Sequence, residues 1–537
     1  MNNLQYKTED TLINEGVPLS QTHLWDYQRN YYQEQNINAW VDKVPFYVTS
    51  NPYIANSYAN IIARYIIDGL NNGNINSNNP LYIVELGAGS GTFSFHFLNK
   101  FIELKEKLSI PIKPVYVMTD IIEENIQFWQ KQKAFKLFLD AGYLDFSFFD
   151  AEISEGLVLT ESKITIDVNS HLKPVNPLVL ISNYCFDSLR QDVFKVKDSQ
   201  LFQGLCKITN SSDNFIDEKI SKLDQLHLTY DFEKVELPYY KNNVLNDVLY
   251  QYTDEIDNQY LLFPVGSLMC IQTFLNISNN NIFLLSSDKG FSKHLDVFQS
   301  EEPQLVFHDN CFSLSVNFNA IDRFFKCIGG DGFSQFTEQS LTTCSFVSNT
   351  HFNKLPETSL ALETNLNSFG HATINSVFLN NDFSRGLTSL NAIIPILEAT
   401  KWDTWVFNSC RDTIIQQIRM EGAPKCDIEN LKEKLPEIEA NFYQLPKAID
   451  TFTDIALYLQ EIKEYEQALS YYQKSINHFG EIDITFYNMG LCKYFLNKFD
   501  EAIPKFELCL KLNPDHILAR GWVSQIESIL TKQLDLL

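Results

Sequence analysis

The sequence predicts a doubly wound α/β domain followed by an all-α repeat domain, and three observations carry that reading. The first is Leu81–Phe93, where apolar residues lead into Glu85 and then Gly87, Gly89 and Gly91 at alternate positions. The second is a series of apolar stretches, most ending in an acid and followed by a helix-like run, the pattern of strand–helix units in a parallel sheet. The third is a 34-residue period that sets in near Ile449.

Composition narrows the function. The chain has 537 residues, enough for two or more domains, and is 45% hydrophobic. A net charge of −25 without a basic stripe excludes a nucleic-acid surface, which needs clustered Lys and Arg. Ten scattered cysteines form no C-x-x-C pair or metal-ligand spacing and read as reduced thiols, with no metal site. Met1–Gln21 has no apolar core of a signal peptide, and no run of 18 apolar residues occurs. The expectation is a cytoplasmic protein with no membrane partner.

The elements follow in order. Residues 1–45 read as an N-terminal helical extension, with Trp25–Tyr32 and Ala39–Trp40 as helical contacts. An amphipathic helix over Ile54–Leu70 starts at Pro52, and an Asn/Gly loop leads to the central strand Leu81–Leu86. In the turn that follows, glycines at 87, 89 and 91 allow a close backbone approach by a ligand, and Glu85 is placed to receive an amino group or to cap the loop. An ordinary turn rich in small residues is the plain alternative. After a helix over residues 93–107, the strand Val115–Thr119 ends in Asp120, where nucleoside cofactors have their ribose hydroxyls held. Asp120 lies 31 residues after Gly89, and a helix N-cap is its plain alternative. Ile121–Phe138 reads as one helix.

Leu144–Ala151 reads as a third strand, with Asp150 either facing an adenine amino group or standing as an ordinary loop acid. The fourth strand, within Pro177–Leu189, carries Asn183, Tyr184 and Asp187 at the carboxyl edge of the sheet, where they are expected to line an acceptor pocket. Asp187 reads equally as a helix cap. Residues 195–260 are polar with poor periodicity and read as an insertion. Then come a helix over Phe263–Asn276, a strand over Asn281–Gly290, an alternating edge strand over Cys311–Phe318, a helix over Ala320–Cys327 and a closing strand near Thr343–Val347. Asp288 and His308 are further candidates, His308 with a plain surface or core role as its alternative.

Glu85–Gly91, an acid two residues ahead of G-x-G-x-G, resembles the first motif of class I S-adenosylmethionine (SAM) methyltransferases. With Phe46–Pro52, Ser182–Arg190, Leu285–Gly290 and Ser315–Phe318 it makes residues 44–345 resemble the MidA-like methyltransferases, whose mitochondrial members methylate an arginine during complex I assembly. The resemblance implies a Rossmann-like domain over 46–345, SAM as cofactor, the three glycines around its methionyl part and Asp120 on its ribose. The chain departs from the family at Tyr184, where the family has Glu, at Arg190, where it has Pro, and at Lys289, where it has Tyr. Loss of the carboxylate at 184 argues against a guanidinium acceptor.

The C-terminal third begins with a helical connector over 346–448, in which Pro436 and Pro446 are expected to break the last helix. Beyond it Ala456 recurs as Gly490, Tyr465 as Phe499, Ala468 as Ala502 and Tyr472 as Phe506, each 34 residues on. This resembles tetratricopeptide repeats over 449–537, with Ile517–Leu530 as capping helix and earlier helices supplying a further unit. Such arrays bind peptides or mediate dimers. The resulting expectation is a SAM-dependent methyltransferase acting on a protein or peptide recruited by the repeats. The alternatives are a non-catalytic scaffold, or a small-molecule methyltransferase that uses the repeats to form a homodimer.

Overall fold

The computed structural model describes residues 16–40, 47–168, 173–210, 226–255, 257–293, 298–308, 311–335, 341–367, 370–371, 373–374, 389–420 and 422–534. The chain divides into two units, Met1–Val377 and Phe378–Leu537, later than the 345/346 boundary read from the sequence.

The first unit is built on a seven-stranded sheet. Its strands are β1 (Leu81–Leu86), β2 (Pro114–Asp120), β3 (Leu144–Phe148), β4 (Leu178–Asn183), β5 (Ile282–Asp288), β6 (Asp331–Ser334) and β7 (Thr342–Val347). The spatial order is β6-β7-β5-β4-β1-β2-β3. The five strands from β5 to β3 are parallel, while β7 pairs antiparallel with β5, and β6 with β7. Every residue of β1 and β5 is buried, which explains why these strands read as continuous apolar runs. The chain runs outward from β1 to β3, then returns to β4 on the other side of β1. That reversal opens a crevice at the carboxyl ends of β1 and β4, the place where such sheets bind ligands.

Three helices shape this crevice. Helix α1 (Leu24–Gln35) precedes the sheet, and α2 (Pro52–Asn71) starts where Asn51 accepts a bond from Ile54 N at 3.1 Å with Pro52 in the first turn. Helix α3 (Thr92–Lys107) follows the glycine turn. The helix expected over Ile121–Phe138 is broken: α4 (Glu123–Lys131) ends at Gln132, whose extended backbone (ψ 120°) separates it from short turns at 133–135 and 136–140.

Residues 195–260, read as a featureless insertion, contribute most of a second, antiparallel sheet. Asp192–Lys197, Gln200–Asn210, Leu226–Lys234 and Gln259–Phe263 pair side by side, and Val17–Pro18 pairs with Leu205 and Cys206. The described part of the N-terminal segment is helical over Leu24–Gln35, as expected, and Val17–Pro18 also joins this sheet. Leu19, Leu24 and Trp25 pack with Val193, Cys206 and Ile208 in one apolar cluster. The edge strand expected over Cys311–Phe318 is also corrected. Cys311–Ser313 and Val316–Asn317 join separate two-stranded ladders, and Phe318–Cys327 is already helix.

The regular elements of the second unit are all helices among its described residues. Thr451–Glu461 pairs with Tyr465–Phe479, Asp483–Phe495 with Phe499–Leu512, and Ile517–Leu534 closes the array. The repeated small residues Ala456, Gly490, Ala468 and Ala502 are buried where helices approach, with Tyr472 and Phe506 fully buried beside them. Thr404–Arg419 and Lys425–Ala440 form a preceding pair, joined to the first repeat by Arg411–Asp454 at 3.0 Å and by the Tyr458 hydroxyl on Ile428 O at 2.5 Å. Pro436 does not break Lys425–Ala440. It removes one backbone donor, but burial of Leu431, Leu435 and Ile438 keeps the helix whole; Pro446 lies beyond its end.

A Cβ on Gly490 would lie 2.7–2.8 Å from three ring carbons of the fully buried Phe506. Gly490→Val is expected to destabilise the helical unit by about 1–3 kcal/mol, read from urea denaturation of the full chain by circular dichroism. Gly521→Val, where a Cβ meets nothing within 4 Å, serves as the control with a much smaller effect.

Candidate functional site

The crevice is organised by the turn after β1. Gly87, Gly89 and Gly91 have φ of 63°, 52° and 78°, a left-handed backbone that side chains resist. The turn is fixed from the β2 side. Ala88 N donates to Thr119 O at 2.9 Å, Gly89 N to Asp120 Oδ2 at 3.1 Å, and the buried Trp129 indole to Gly89 O at 3.0 Å. Asp120 also accepts from Ile122 N at 3.0 Å and Asn125 Nδ2 at 3.2 Å. Burial pushes its pKa up to about 6, against the pull of these donors. Asp120 thus joins the strand end to the turn rather than capping α4, whose first flanking residue is Ile122.

Two cavities meet at Gly87 and Tyr184. The larger encloses about 920 Å³ out to its open mouth. Its walls are Asp120, Ile122 and Asn125 on one side, Phe149–Glu152 on a second, and Trp25, Gln28, Arg29 and Tyr32 of α1 on a third. The smaller, about 360 Å³, lies between Glu85–Ser90 and the pair Asn183 and Tyr184, with Thr49, Ser50 and Phe93 around it.

Not every expected residue does what its position suggested. Glu85 lines the smaller cavity but caps no loop amide: its Oε2 accepts from the Tyr116 hydroxyl at 2.8 Å and from Ser94. Burial lifts its carboxyl to about 7, outweighing those two bonds. Asp150 lines the larger cavity with its carboxylate engaged on both oxygens by Arg29. Burial raises its pKa, but the Arg29 bond and charge together with the backbone donors of Glu152 and Ile153 outweigh it, leaving it low. Arg29 also reaches Glu152 at 2.6 Å. Arg190, one of the departures from the family pattern, holds Glu152 at 3.1 Å, Asp26 at 3.2 Å and Ser20 O at 2.8 Å. These ion pairs fasten α1 to the far wall of the cleft.

Asn183 and Tyr184 line the smaller cavity, and Tyr184 faces the larger one as well. Tyr184 takes a left-handed backbone, φ 46°, held by its N–H on Ser287 O at 3.0 Å. For a non-glycine residue this is strain of the kind that persists at functional sites. Its hydroxyl stays protonated, raised by burial and by the nearby Asp288 and Asp187. Asp187 lines neither cavity and caps no α-helix, which corrects both expectations. It is buried against Asp288, whose Oδ2 accepts Asp187 N at 3.1 Å, and its own carboxylate accepts from Ser188. Burial raises the carboxyls of both Asp187 and Asp288, and the neighbouring Asp187 charge raises Asp288 further, since two adjacent buried carboxyls do not both ionise. Asp288 likewise lines neither cavity. His308 ends a short strand, but its side chain lies outside the described residues, as does Phe46. Among the described residues no three His, Cys, Asp or Glu side chains are grouped to hold a metal, and no helix is long and apolar enough to cross a membrane.

Sequence reasoning missed α1 as a wall of the cleft. Its aromatic and polar residues carry no motif, and only the fold brings Arg29 to Asp150.

Comparison with known proteins gives three results. Residues 485–516 match the tetratricopeptide repeat family. No curated protein matches the chain. Among solved structures, a candidate methyl transferase from Burkholderia thailandensis bound to S-adenosyl-homocysteine aligns at 10% identity and a TM-score of 0.38, over 62% of this chain and 87% of that one. An uncharacterized protein of the same superfamily and organism aligns at 10% identity and a TM-score of 0.33, over 63% and 97%. The functional reading rests on the cleft itself.

Because the folded pKa of Glu85 is raised, its protonated form stabilises the fold fully below its ordinary value of 4.5, and this stabilisation is lost as pH rises through about 7. Glu85→Gln keeps the shape and cannot ionise. Without ligand, its melting temperature is expected to gain on wild type between about pH 5 and about pH 8. A gap independent of pH would mean that the carboxyl ionises as readily folded as unfolded.

Proposed function

We propose that the first unit is a SAM-dependent methyltransferase. The nucleoside occupies the larger cavity and the amino-acid end the smaller. The observation that carries this reading is the pair of cavities meeting at Gly87 and Tyr184, at the reversal point of the sheet and over a left-handed glycine turn tied to Asp120. Asp120 and Asn125 offer polar atoms for ribose hydroxyls, while Phe149 and Ile122 supply apolar surface for a base.

Methyl transfer asks little covalent help of a protein. A lone pair on the acceptor attacks the sulfonium methyl, the carbon–sulfur bond breaks toward sulfur, and the acceptor loses a proton when it carries one. The protein must set the line of attack and exclude water. Tyr184 is the side chain common to both cavities and so stands beside the link between nucleoside and amino acid. In this reading the repeat unit recruits a protein or peptide acceptor, a role supported by the tetratricopeptide match at residues 485–516.

Isothermal titration of S-adenosylhomocysteine into the whole protein tests the cofactor assignment. Wild type is expected to bind with a micromolar Kd, and Gly89→Arg and Asp120→Ala to weaken binding at least tenfold, about 1.4 kcal/mol, with the far-ultraviolet circular dichroism unchanged. A folded wild type that binds neither SAM nor its product would leave a binding scaffold as the reading.

A further inference from the structure

Gly87 and Tyr184 are the residues common to both cavities, so their junction offers one polar side-chain group, the Tyr184 hydroxyl. That hydroxyl has no hydrogen-bond partner among the described residues, and it is not sealed from open space as Asn183 Nδ2 and Asn125 Oδ1 are. Burial, with Asp288 and Asp187 nearby, raises its pKa, so at neutral pH it donates and takes up no proton.

The carboxyls around the junction are committed elsewhere. Asp150 and Glu152 are held by Arg29, and Glu152 by Arg190 as well. Asp120 accepts from Gly89 N, Ile122 N and Asn125 Nδ2. Asp187 and Asp288 line neither cavity, and Lys289 offsets charge on Asp187. Glu85 lines only the smaller cavity, which the cofactor's amino-acid end fills in the assignment above. No carboxylate is therefore common to the two cavities.

This arrangement discriminates among acceptors. The sulfonium passes the junction and carries a positive charge. An ammonium or guanidinium acceptor repels it and must first lose a proton, for which the junction holds no base. A neutral hydroxyl avoids the repulsion but needs the same base. A carboxylate is attracted to the sulfonium, has its lone pairs in hand at neutral pH and has no proton to lose. We infer that the acceptor is a carboxylate, held at the junction by the Tyr184 hydroxyl through the oxygen that does not react. The other oxygen attacks the methyl carbon, and the carbon–sulfur bonding pair passes to sulfur. The products are a methyl ester and the neutral thioether, with no proton released. Tyr184 then sets the acceptor class. This deepens the methyltransferase assignment and rests on it.

Acetate serves as the probe, read by titration of SAM and S-adenosylhomocysteine into the whole protein. The two ligands differ at sulfur, by the methyl group and its charge, so an anion at the junction tightens SAM more than the product. At constant ionic strength, replacing chloride by acetate is expected to raise the ratio of dissociation constants, product over SAM, about fivefold. Replacing sodium by methylammonium is expected to leave the ratio unchanged. Tyr184→Phe, which lacks the donor, and Tyr184→Glu, which adds a negative charge, are each expected to lose the acetate effect. A shift of both ligands alike, no shift, or a larger shift with methylammonium would overturn the inference and leave the cofactor assignment standing. If neither ligand binds, that assignment fails and the carboxylate acceptor falls with it. With methyl-tritiated SAM, the protein and small-molecule fractions of a cell extract separate the two sources of carboxylate. In whichever fraction is labelled, the label is expected to leave as volatile methanol on treatment with base, as methyl esters do. Label that resists base would overturn the inference.

Discussion

The arrangement depends on one carboxylate. Asp120 sits at the end of β2 and accepts at once from the glycine turn after β1, from its own following backbone and from Asn125 of α4. A left-handed turn of alternating glycines has little to hold it in one shape, since glycine has the most conformational freedom to lose. The Gly89 N–H bond to Asp120 and the Trp129 indole on Gly89 O supply that constraint from buried neighbours. Without them the junction between the two cavities would have no fixed floor. The cost is a buried acid whose pKa rises to about 6, and the three donors keep that rise from going further.

The cleft is completed by a part of the chain that lies far from it in sequence. Alpha helix α1 is anchored on the second sheet by Leu24 and Trp25, and its Arg29 crosses to Asp150 and Glu152. Arg190 repeats the gesture from the other direction, joining Glu152 to Asp26 of the same helix. Acids that end strands and loops are thus divided between two duties. Asp120 shapes the ligand turn, while Asp150 and Glu152 hold the wall opposite. The strongly acidic composition supplies both.

The sheet was legible in the strands that are buried runs and in the one turn that carries alternate glycines, signals that depend only on neighbours in the chain, while the half-buried edge strand β6 (Asp331–Ser334) gave no such signal. The repeat array was legible for the same reason: Gly490 and Phe506 recur at a fixed offset from Ala456 and Tyr472. The second sheet was not legible, because its apolar residues are divided between two clusters, Val193, Cys206 and Leu262 on one face and Phe194, Val196 and Leu261 on the other, and their pattern is diluted by Asn, Asp and Lys. Asp150 and Asp187 show the limit for single residues. A carboxylate at a strand end looks the same in sequence whether it faces a ligand, an arginine from residue 29 or another carboxylate. Tyr58 and His371, more than 300 residues apart, carry no signal in sequence for the buried hydrogen bonds through Ser287 and Thr343 that only the fold assembles.

The most direct test of the account is a crystal structure of the whole protein grown with saturating S-adenosylhomocysteine. The account predicts the adenosine between Asp120 and α1, with the homocysteine tail passing Tyr184 into the smaller cavity between Glu85 and Asn183. A cleft that stays empty at saturating ligand, or a ligand bound elsewhere on the protein, would contradict it.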